Sequence, residues 1–303
     1  MRDQSTAPVS TSLSVLKEGN VSVEDSVFLL LLFFSVAAFW SDLRALVRLC
    51  LSRDEYSHII LIPFVSAFLI YRNRQKIFIS QAFDVGVGLP LVIIGIGLHI
   101  LALVSGTQSP LFAVTAVLLF VLGSFAACYG RRAFLAAMFP LLFLVFMLPL
   151  PNATMDQVIL FLQRGSAALS EVFYRIMGIP VLRQGFTFVL PGVTIEIAKE
   201  CSGIHSSIAL LITTVLAAHL FLRSNWRRGL LCLAVVPIAI VKNGIRIVTL
   251  STLAAYVNPI FLTGPSHHQG GVIFFAMGVA SISLLLVLLR SADNANSQTR
   301  TFR

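Results

Sequence analysis

Residues 203–222 read GIHSSIALLITTVLAAHLFL. The stretch contains no Asp, Glu, Lys or Arg, and as a helix it is long enough to cross the roughly 30 Å hydrocarbon core of a bilayer. Because lipid offers the backbone no hydrogen-bond partners, a crossing segment must satisfy its amides internally, as an α-helix does. The stretch therefore predicts a transmembrane helix, and it assigns the chain to the membrane proteins.

The composition of the whole chain agrees with that assignment. Of its 303 residues 57% are hydrophobic and 12% are charged, whereas soluble domains average about half and a quarter. The apolar runs are continuous, so they do not fit a β-barrel, whose strands show about 10 residues of alternating polarity. The formal net charge of +9 is spread in short bursts between apolar runs, which is not the clustered basic patch of a nucleic-acid-binding domain.

The hydropathy pattern predicts an all-α polytopic membrane protein of about eight transmembrane helices. The predicted spans are about 27–46, 57–72, 86–104, 110–128, 133–149, 203–222, 230–255 and 271–290. Polar tails at 1–25 and 291–303 flank this transmembrane domain of residues 26–290. Lys and Arg concentrate at every second connection, so the positive-inside rule puts both tails in the cytoplasm. The connections at 105–109, 150–200 and 256–270 then face outward.

The outward connection 150–200 is long enough to hold structure of its own. Apolar residues recur at helical spacing over 156–178, which predicts an amphipathic helix on the outer, periplasmic interface. Residues 185–190 and 193–197 flank Pro191 and Gly192, a pair that suits a type II turn. We therefore expect a short β-hairpin that leads the chain to Cys201.

Cys201 stands immediately before the helix that begins near Gly203. A thiol at a helix N-terminus experiences the positive end of the helix dipole, which favours the nucleophilic thiolate. The other cysteines, Cys50, Cys128 and Cys232, show no CxxC motif and no paired spacing. Neither a disulfide framework nor a zinc ribbon is predicted.

Two further groups complete a candidate nucleophile site. Arg246 falls about 10 residues inside the seventh predicted span and shares a helix face with Asn243. A regular helix would carry it about 15 Å deep, where an arginine needs a partner or a water-filled cavity. His267 and His268 precede the last span, and a histidine there is able to deprotonate a thiol and to protonate a leaving amine.

These segments resemble the exosortase/archaeosortase family. The resemblance covers about residues 55–290, and its most specific parts are EIAKECSGI at 196–204 and NGIRI at 243–247. His267 follows, with Gly271 and Phe275 four and eight residues later. The resemblance implies that the family's catalytic Cys, Arg and His correspond to Cys201, Arg246 and His267, with His268 as the alternative.

The resemblance also implies an activity, which is cysteine peptidase or transpeptidase chemistry in the bacterial inner (plasma) membrane. The substrates would be exported proteins with a C-terminal sorting signal of the PEP-CTERM type, made of a short motif, a transmembrane helix and a basic tail. Cleavage would take place on the periplasmic or exterior side and serve exopolysaccharide and biofilm protein sorting. Asn243, Glu196 and His205 are expected to support the site. No cofactor, metal or nucleic-acid partner is expected.

Three alternatives remain open from the residues alone. Cys201 and His205 are four residues apart and form a zinc site if the histidine pair completes it. Lys242 and Arg246 inside one span would instead line the anion path of a transporter. A membrane-bound acyltransferase with His267 as its base would use a lipid substrate. The recognition motif, the acceptor nucleophile and the oligomeric state do not follow from the sequence.

Overall fold

The computed structural model describes residues 22–79, 82–106, 109–198, 202–258, 260–263 and 265–301, and the side chains at 262–270 and 294–301 lie outside this description. The described residues form twelve α-helices and one three-stranded sheet. The helices are α1 (Val23–Ala38), α2 (Trp40–Ser52), α3 (Ile62–Arg72), α4 (Arg74–Ile77), α5 (Val85–Val104), α6 (Pro110–Ala136), α7 (Met138–Phe143), α8 (Asn152–Ile176), α9 (Ile204–Phe221), α10 (Asn225–Tyr256), α11 (Ile260–Thr263) and α12 (Pro265–Thr301). The strands are β1 (Leu182–Gln184), β2 (Thr187–Leu190) and β3 (Val193–Glu196), and 3₁₀ segments cover Asp54–Ile60 and Leu144–Met147.

The predicted all-α membrane architecture is confirmed, but the count of eight spans is not. Within the described residues, five helices are long and apolar enough to cross a bilayer, namely α5, α6, α9, α10 and the stretch Gly271–Asp293 of α12. The number rises to seven if two bent helix pairs each count as one span. These pairs are α1 with α2, bent by 73°, and Met138–Met147 with α8, bent by 90°.

Three of the predicted spans are interrupted or short, which explains the lower number. The predicted span 27–46 breaks at Phe39 between α1 and α2. Within the predicted span 57–72 only the 11 residues of α3 are α-helical, after a 3₁₀ segment. Within 133–149 the helix α7 has six residues. At a rise of 1.5 Å per residue neither α3 nor α7 alone reaches across 30 Å of hydrocarbon.

Two of the connections that the charge pattern predicts to face outward, 105–109 and 150–200, begin or end beside the C-terminal end of α2. The hydroxyl of Tyr56 donates to the carbonyl oxygen of Leu150 at 3.1 Å, and Arg53 Nη1 donates to Asn152 Oδ1 at 3.5 Å. A cavity of about 460 Å³ lies among residues of 49–56, 109–111 and 149–152. The ends of α2, α6 and α8 therefore face the same side.

Connections that the charge pattern predicts to face the cytoplasm meet at the opposite end. The Tyr129 hydroxyl donates to Asp25 Oδ1 at 2.9 Å, which ties α6 to the start of α1. The backbone amide of Arg223 donates to Asp293 Oδ2 at 3.1 Å, and Arg227 pairs with the same carboxylate. Helix α12 thus continues past the last predicted span and into the segment 291–303, which was expected to be a polar tail. The predicted tail 1–25 lies mostly outside the described residues.

The predicted amphipathic helix is present as α8, which is buried more deeply than an interfacial helix would be. Ser166, Ala167, Ser170 and Tyr174 are fully buried on one face, and the Ser170 hydroxyl donates to the carbonyl oxygen of Gly244 in α10 at 3.3 Å. This face packs along the second half of α10. Helix α8 therefore forms a wall of the structure around α10.

The predicted hairpin is present as β2 and β3, with Leu190 paired to Val193 across the turn. Gly192 has a φ of 82°, as the third residue of a type II turn requires. The sequence did not predict β1, which pairs antiparallel with β2 and completes a sheet of order β1-β2-β3. Phe188 at the centre of β2 is fully buried against Tyr174, so the sheet is fixed to α8.

Candidate active site

Helices α9 and α10 form an antiparallel hairpin. At the end of the hairpin away from the connecting loop, Gly203 packs against Asn243. Gly203 caps the N-terminus of α9 with a φ of 73°, a left-handed conformation that glycine adopts without steric cost. A Cβ atom added there would lie 2.9 Å from Asn243 Oδ1. Both the backbone angle and the close contact therefore require glycine at this position.

Asn243 connects the start of α9 to two other elements. Its side-chain nitrogen Nδ2 donates to the carbonyl oxygen of Ser202 at 3.2 Å and lies 3.1 Å from the Ser166 hydroxyl oxygen of α8. Asn243 is 1% exposed, so these bonds form away from water, where an unpaired carbonyl is costly. The supporting role predicted for Asn243 has a concrete geometry, which is to fix the residue that follows Cys201.

A second buried amide fixes the chain on the other side of the same motif. Gln163 of α8 is 5% exposed, and its Nε2 donates to the carbonyl oxygen of Ile197 at 2.9 Å. Ile197 and Ser202 bracket the motif that contains Cys201. Cys201 itself lies outside the described residues, so its assignment as nucleophile stays a prediction.

Arg246 lies near the mouth of α9 and not deep between the helices. Helix α9 has 18 residues and ends at Phe221, just before the connection to α10. Along α10, Asn243 is already level with Gly203 at the mouth of α9, and Arg246 comes three residues, or about 4.5 Å, farther along the helix. The expected depth of about 15 Å within the membrane stays a prediction, because it was counted from the outer end of the span and α10 continues for ten residues past Arg246 to Tyr256.

A cleft of about 340 Å³ opens between α9, α10 and α12. Its walls combine small, basic and aromatic residues: Gly203, His205, Ser206, Ala209, Lys242, Arg246, Gly271, Val272, Phe274 and Phe275. None of these described lining residues is acidic. The described lining therefore carries positive charge with no carboxylate among its own residues, and positive charge stabilises an anion.

Lys242 forms the floor of this cleft. It is 3% exposed, and its Nζ is hydrogen-bonded to the Ser206 hydroxyl of α9. Arg246 follows one helical turn later, so two cationic side chains share one face of α10. Within the described part of the chain, neither forms an ion pair with a carboxylate. An incoming anion would therefore suit the two cations of this part of the described structure.

His205 lines the cleft and also contacts the segment that precedes α3. Its Nδ1 lies within hydrogen-bonding distance of the backbone oxygen of Asp54. The neighbouring His58 is affected electrostatically, because burial and then the His205 imidazole lower its pKa. The Asp54–Ile60 segment therefore lies beside the N-terminus of α9, next to the candidate site.

The remaining predicted residues are not brought into the cleft by the described atoms. Glu196 ends β3 with an exposed side chain and is not among the residues that line the cleft. His267 and His268 lie in the first turn of α12, because the helix begins at Pro265, a residue favoured at a helix start. An outer loop was expected there. Their side chains lie outside the described residues, so the choice between them stays open.

The zinc alternative is not tested by the described residues. They contain no group of three or more His, Cys, Asp or Glu side chains arranged to hold a metal ion. The alternative depends on Cys201 and on the histidine pair, and none of those side chains is described.

Sequence analysis missed two supporting residues of α8. Gln163 and Ser166 belong to the predicted amphipathic helix but were not singled out, and both are buried. Together with Ser170, they occupy positions 163, 166 and 170, which are three and four residues apart and so lie on a single helix face. A row of polar side chains at this spacing is a signal for a packed face that forms hydrogen bonds with neighbouring elements.

Comparison with known families gives one match, over residues 40–284, to the family model described as transmembrane exosortase. The match spans most of the chain, and it includes both halves of the cleft and the segment before α3. No curated protein matches the chain. No solved structure matches it.

Proposed function

We propose, because the chain belongs to the transmembrane exosortase family, that it is a cysteine peptidase or transpeptidase that cleaves C-terminal sorting signals of exported proteins. Its substrates carry a short motif, a transmembrane helix and a basic tail. The reaction takes place at the surface of the bacterial inner (plasma) membrane that faces the periplasm or the cell exterior. Its cellular role is the sorting of proteins that accompany exopolysaccharide and biofilm.

One observation carries this proposal, which is the position of Arg246 relative to Ser202. Asn243 holds the Ser202 carbonyl oxygen, and Arg246 lies on the next turn of α10 and lines the cleft. Ser202 is covalently bonded to Cys201. The guanidinium is therefore available near the residue that carries the candidate nucleophile.

The first chemical stage forms a thioester. The Cys201 thiolate attacks the carbonyl carbon of the scissile peptide, and the carbonyl oxygen takes up the negative charge. Arg246 stabilises this oxyanion with its planar set of N–H donors. His267 gives a proton to the leaving nitrogen as the C–N bond breaks, so an amine departs with the C-terminal helix and tail.

The second stage resolves the thioester. An amine that attacks the thioester carbonyl gives transpeptidation, and water gives hydrolysis; in both cases the sulfur leaves as a thiolate. His267, neutral after the first stage, accepts the proton of the incoming nucleophile. The family resemblance supports its selection over His268, since His267 lies four residues before Gly271 and residues four apart on a helix share a face.

The substrate's transmembrane helix needs a lateral path from the lipid. Val272 and Ile273 of α12 are 70% and 71% exposed, and they adjoin the glycine and phenylalanine wall of the cleft. This apolar surface is suited to contact with a lipid-embedded helix. It supports docking beside α12, with the scissile peptide just above the membrane.

The cleft does not favour the transporter alternative. Its described lining runs from Gly203 to Ala209 on α9, about two helical turns. An anion path would need polar lining across the whole bilayer. The acyltransferase alternative differs from the proposal in its substrate and its nucleophile, so detection of an acyl group on Cys201 separates them.

The experiment that tests the proposal follows a tagged sorting-signal protein in cells that produce the enzyme. Cys201→Ala is expected to abolish processing while the variant still inserts into the membrane. Cys128→Ala and Cys232→Ala are matched controls, because they remove thiols that lie away from the cleft, and both should process normally. Normal processing by Cys201→Ala would refute the proposal.

A further inference from the structure

The hydrogen-bonding pattern of the sheet fixes which way each residue of β3 points its backbone groups. The amide of Ile197, just after β3, donates to the carbonyl oxygen of Phe186 at 3.0 Å. Backbone groups of successive residues alternate between the two sides of an antiparallel strand. Ile195 and Val193 therefore also face β2, opposite Phe188 and Leu190.

Thr194 and Glu196 accordingly turn their backbone groups to the other side of β3. The carbonyl oxygen of Glu196 accepts a hydrogen bond from the amide of Ala198 at 3.1 Å. The N–H and C=O of Thr194 and the N–H of Glu196 then form a row of three groups on the free edge. In the described residues β3 is the last strand of the sheet, and the side chains of Thr194 and Glu196 are exposed.

This edge lies beside the candidate active site. The buried side of the sheet packs on Ile247 and Val248 of α10, the residues that follow Arg246. Cys201 comes five residues after Glu196, and Gln163 fixes the chain between them at Ile197. A peptide that pairs with β3 would therefore be directed toward the motif that contains Cys201.

We propose that the free edge of β3 binds the extended segment of the substrate next to the scissile bond, as a fourth strand. The inference rests on the proposed function and adds its mode of substrate binding. Main-chain hydrogen bonds at a sheet edge supply affinity and register that do not depend on the side chains of the guest strand. The four residues of β3 are long enough to pair with a short recognition motif. Pairing with this edge aligns the motif before the transmembrane helix of the substrate docks.

A proline substitution at Thr194 tests the edge without removing a hydrogen bond of the sheet. The Thr194 amide faces away from β2, a position where proline is tolerated on an edge strand. Thr194→Val keeps the N–H and a similar shape, and it is the matched control. Loss of one main-chain hydrogen bond is expected to lower processing of the tagged sorting-signal protein about three- to tenfold relative to Thr194→Val.

Wild-type enzyme provides a second measurement that does not depend on how Thr194→Pro folds. Synthetic sorting-signal peptides with single N-methyl groups at successive amides are cleaved in detergent. Strand pairing predicts slow cleavage at every second methylated position, because only alternate amides face β3. Equal cleavage of all the methylated peptides would overturn the inference.

The outcomes separate this inference from the proposed function. If Thr194→Pro processes at the wild-type rate while Cys201→Ala is inactive, the edge does not bind substrate and the cysteine chemistry stands. If Cys201→Ala is active, the proposed function fails first. A wild-type dimer that Thr194→Pro dissociates without a change in processing would assign the edge to a second copy of the chain, and it would overturn the inference.

Discussion

The side chain of Asn243 donates a hydrogen bond to the carbonyl oxygen of Ser202 at 3.2 Å. This bond joins the helix that carries Arg246 to the residue next to Cys201. Gln163 makes the corresponding bond to Ile197 on the other side of the motif. Buried hydrogen bonds of this kind fix positions within a site. The segment that contains Cys201 is therefore fixed at Ile197 and at Ser202 by amide side chains that take no part in the proposed reaction.

Replacement of Asn243 by leucine should slow processing without preventing membrane insertion. The variant leaves the buried Ser202 carbonyl without its donor, at a cost of about 1–3 kcal/mol. We expect a decrease in the processing rate of at least about fivefold, measured on the tagged sorting-signal protein. Ser166→Ala is the control, because Asn243 then keeps its bond to Ser202 and the effect should be smaller. Equal rates for wild type and Asn243→Leu would contradict the role of this amide.

Alanine at Gly203 should damage both stability and processing. The left-handed backbone costs a residue with a Cβ atom roughly 1–2 kcal/mol, and that Cβ would lie 2.9 Å from Asn243 Oδ1. Gly229→Ala is the matched control, since Gly229 lies within α10 with open space around it and alanine favours a helix. Thermal unfolding in detergent should show a lower midpoint for Gly203→Ala alone. The same midpoint for both variants would show that Gly203 is not under this constraint.

Arg246→Ala should abolish most of the activity and leave the fold intact. The guanidinium has no ion-pair partner among the described residues, so its loss removes transition-state stabilisation and no structural bond. Removal of one oxyanion donor typically lowers the rate about 10²–10³-fold, and Arg246→Lys should be intermediate because an ammonium lacks the planar donor set. Arg131→Ala, an exposed arginine at the opposite end of the bundle, is the control. Rates for Arg246→Ala within twofold of wild type would exclude an oxyanion role.

Acid should destabilise the mouth of α9 through His58. This residue lies in the Asp54–Ile60 segment outside the candidate spans, and burial lowers its pKa below the ordinary value of 6.5. The unfolded chain therefore binds the proton more readily than the folded chain. The stability that His58 contributes is fully present above pH 6.5 and is lost as the pH falls below that value.

The corresponding measurement is the unfolding midpoint in detergent at pH 7.5 and at pH 5. The midpoint of the wild type should fall more than that of His58→Gln, which does not titrate. Parallel decreases in the two proteins would show that His58 does not couple protonation to folding.

The sequence predicted the membrane class, the grouping of the loops and the β2–β3 hairpin because each depends on a local pattern. Apolar length gives the spans, alternating basic bursts give the two ends, and Pro191 with Gly192 gives the turn. The count of eight spans is not confirmed, since hydropathy does not distinguish a straight helix from one that breaks at Phe39. The burial of Gln163 and Ser166 in α8 was not predicted, because it depends on contacts between distant segments of the chain.

The candidate site shows the same division. Arg246 and Asn243 were identified from their spacing. Arg246 lines the cleft, and Asn243 contacts Gly203 at the start of α9. The sequence did not predict that Arg246 lies next to the N-terminus of α9, because it does not show where a 32-residue helix sits relative to its neighbour. Ser206 was missed as a partner of Lys242, since the two are 36 residues apart and meet only when α9 packs on α10.

Mass spectrometry of the enzyme during turnover tests the central claim most directly. Wild-type enzyme is mixed with a sorting-signal peptide, quenched in acid and digested, and the acylated residue is identified. We expect the acyl group on Cys201, with hydroxylamine releasing it as a thioester requires. A hydroxylamine-resistant acyl group on Ser206, next to Lys242, or an acyl-enzyme formed equally well by Cys201→Ala, would contradict the account.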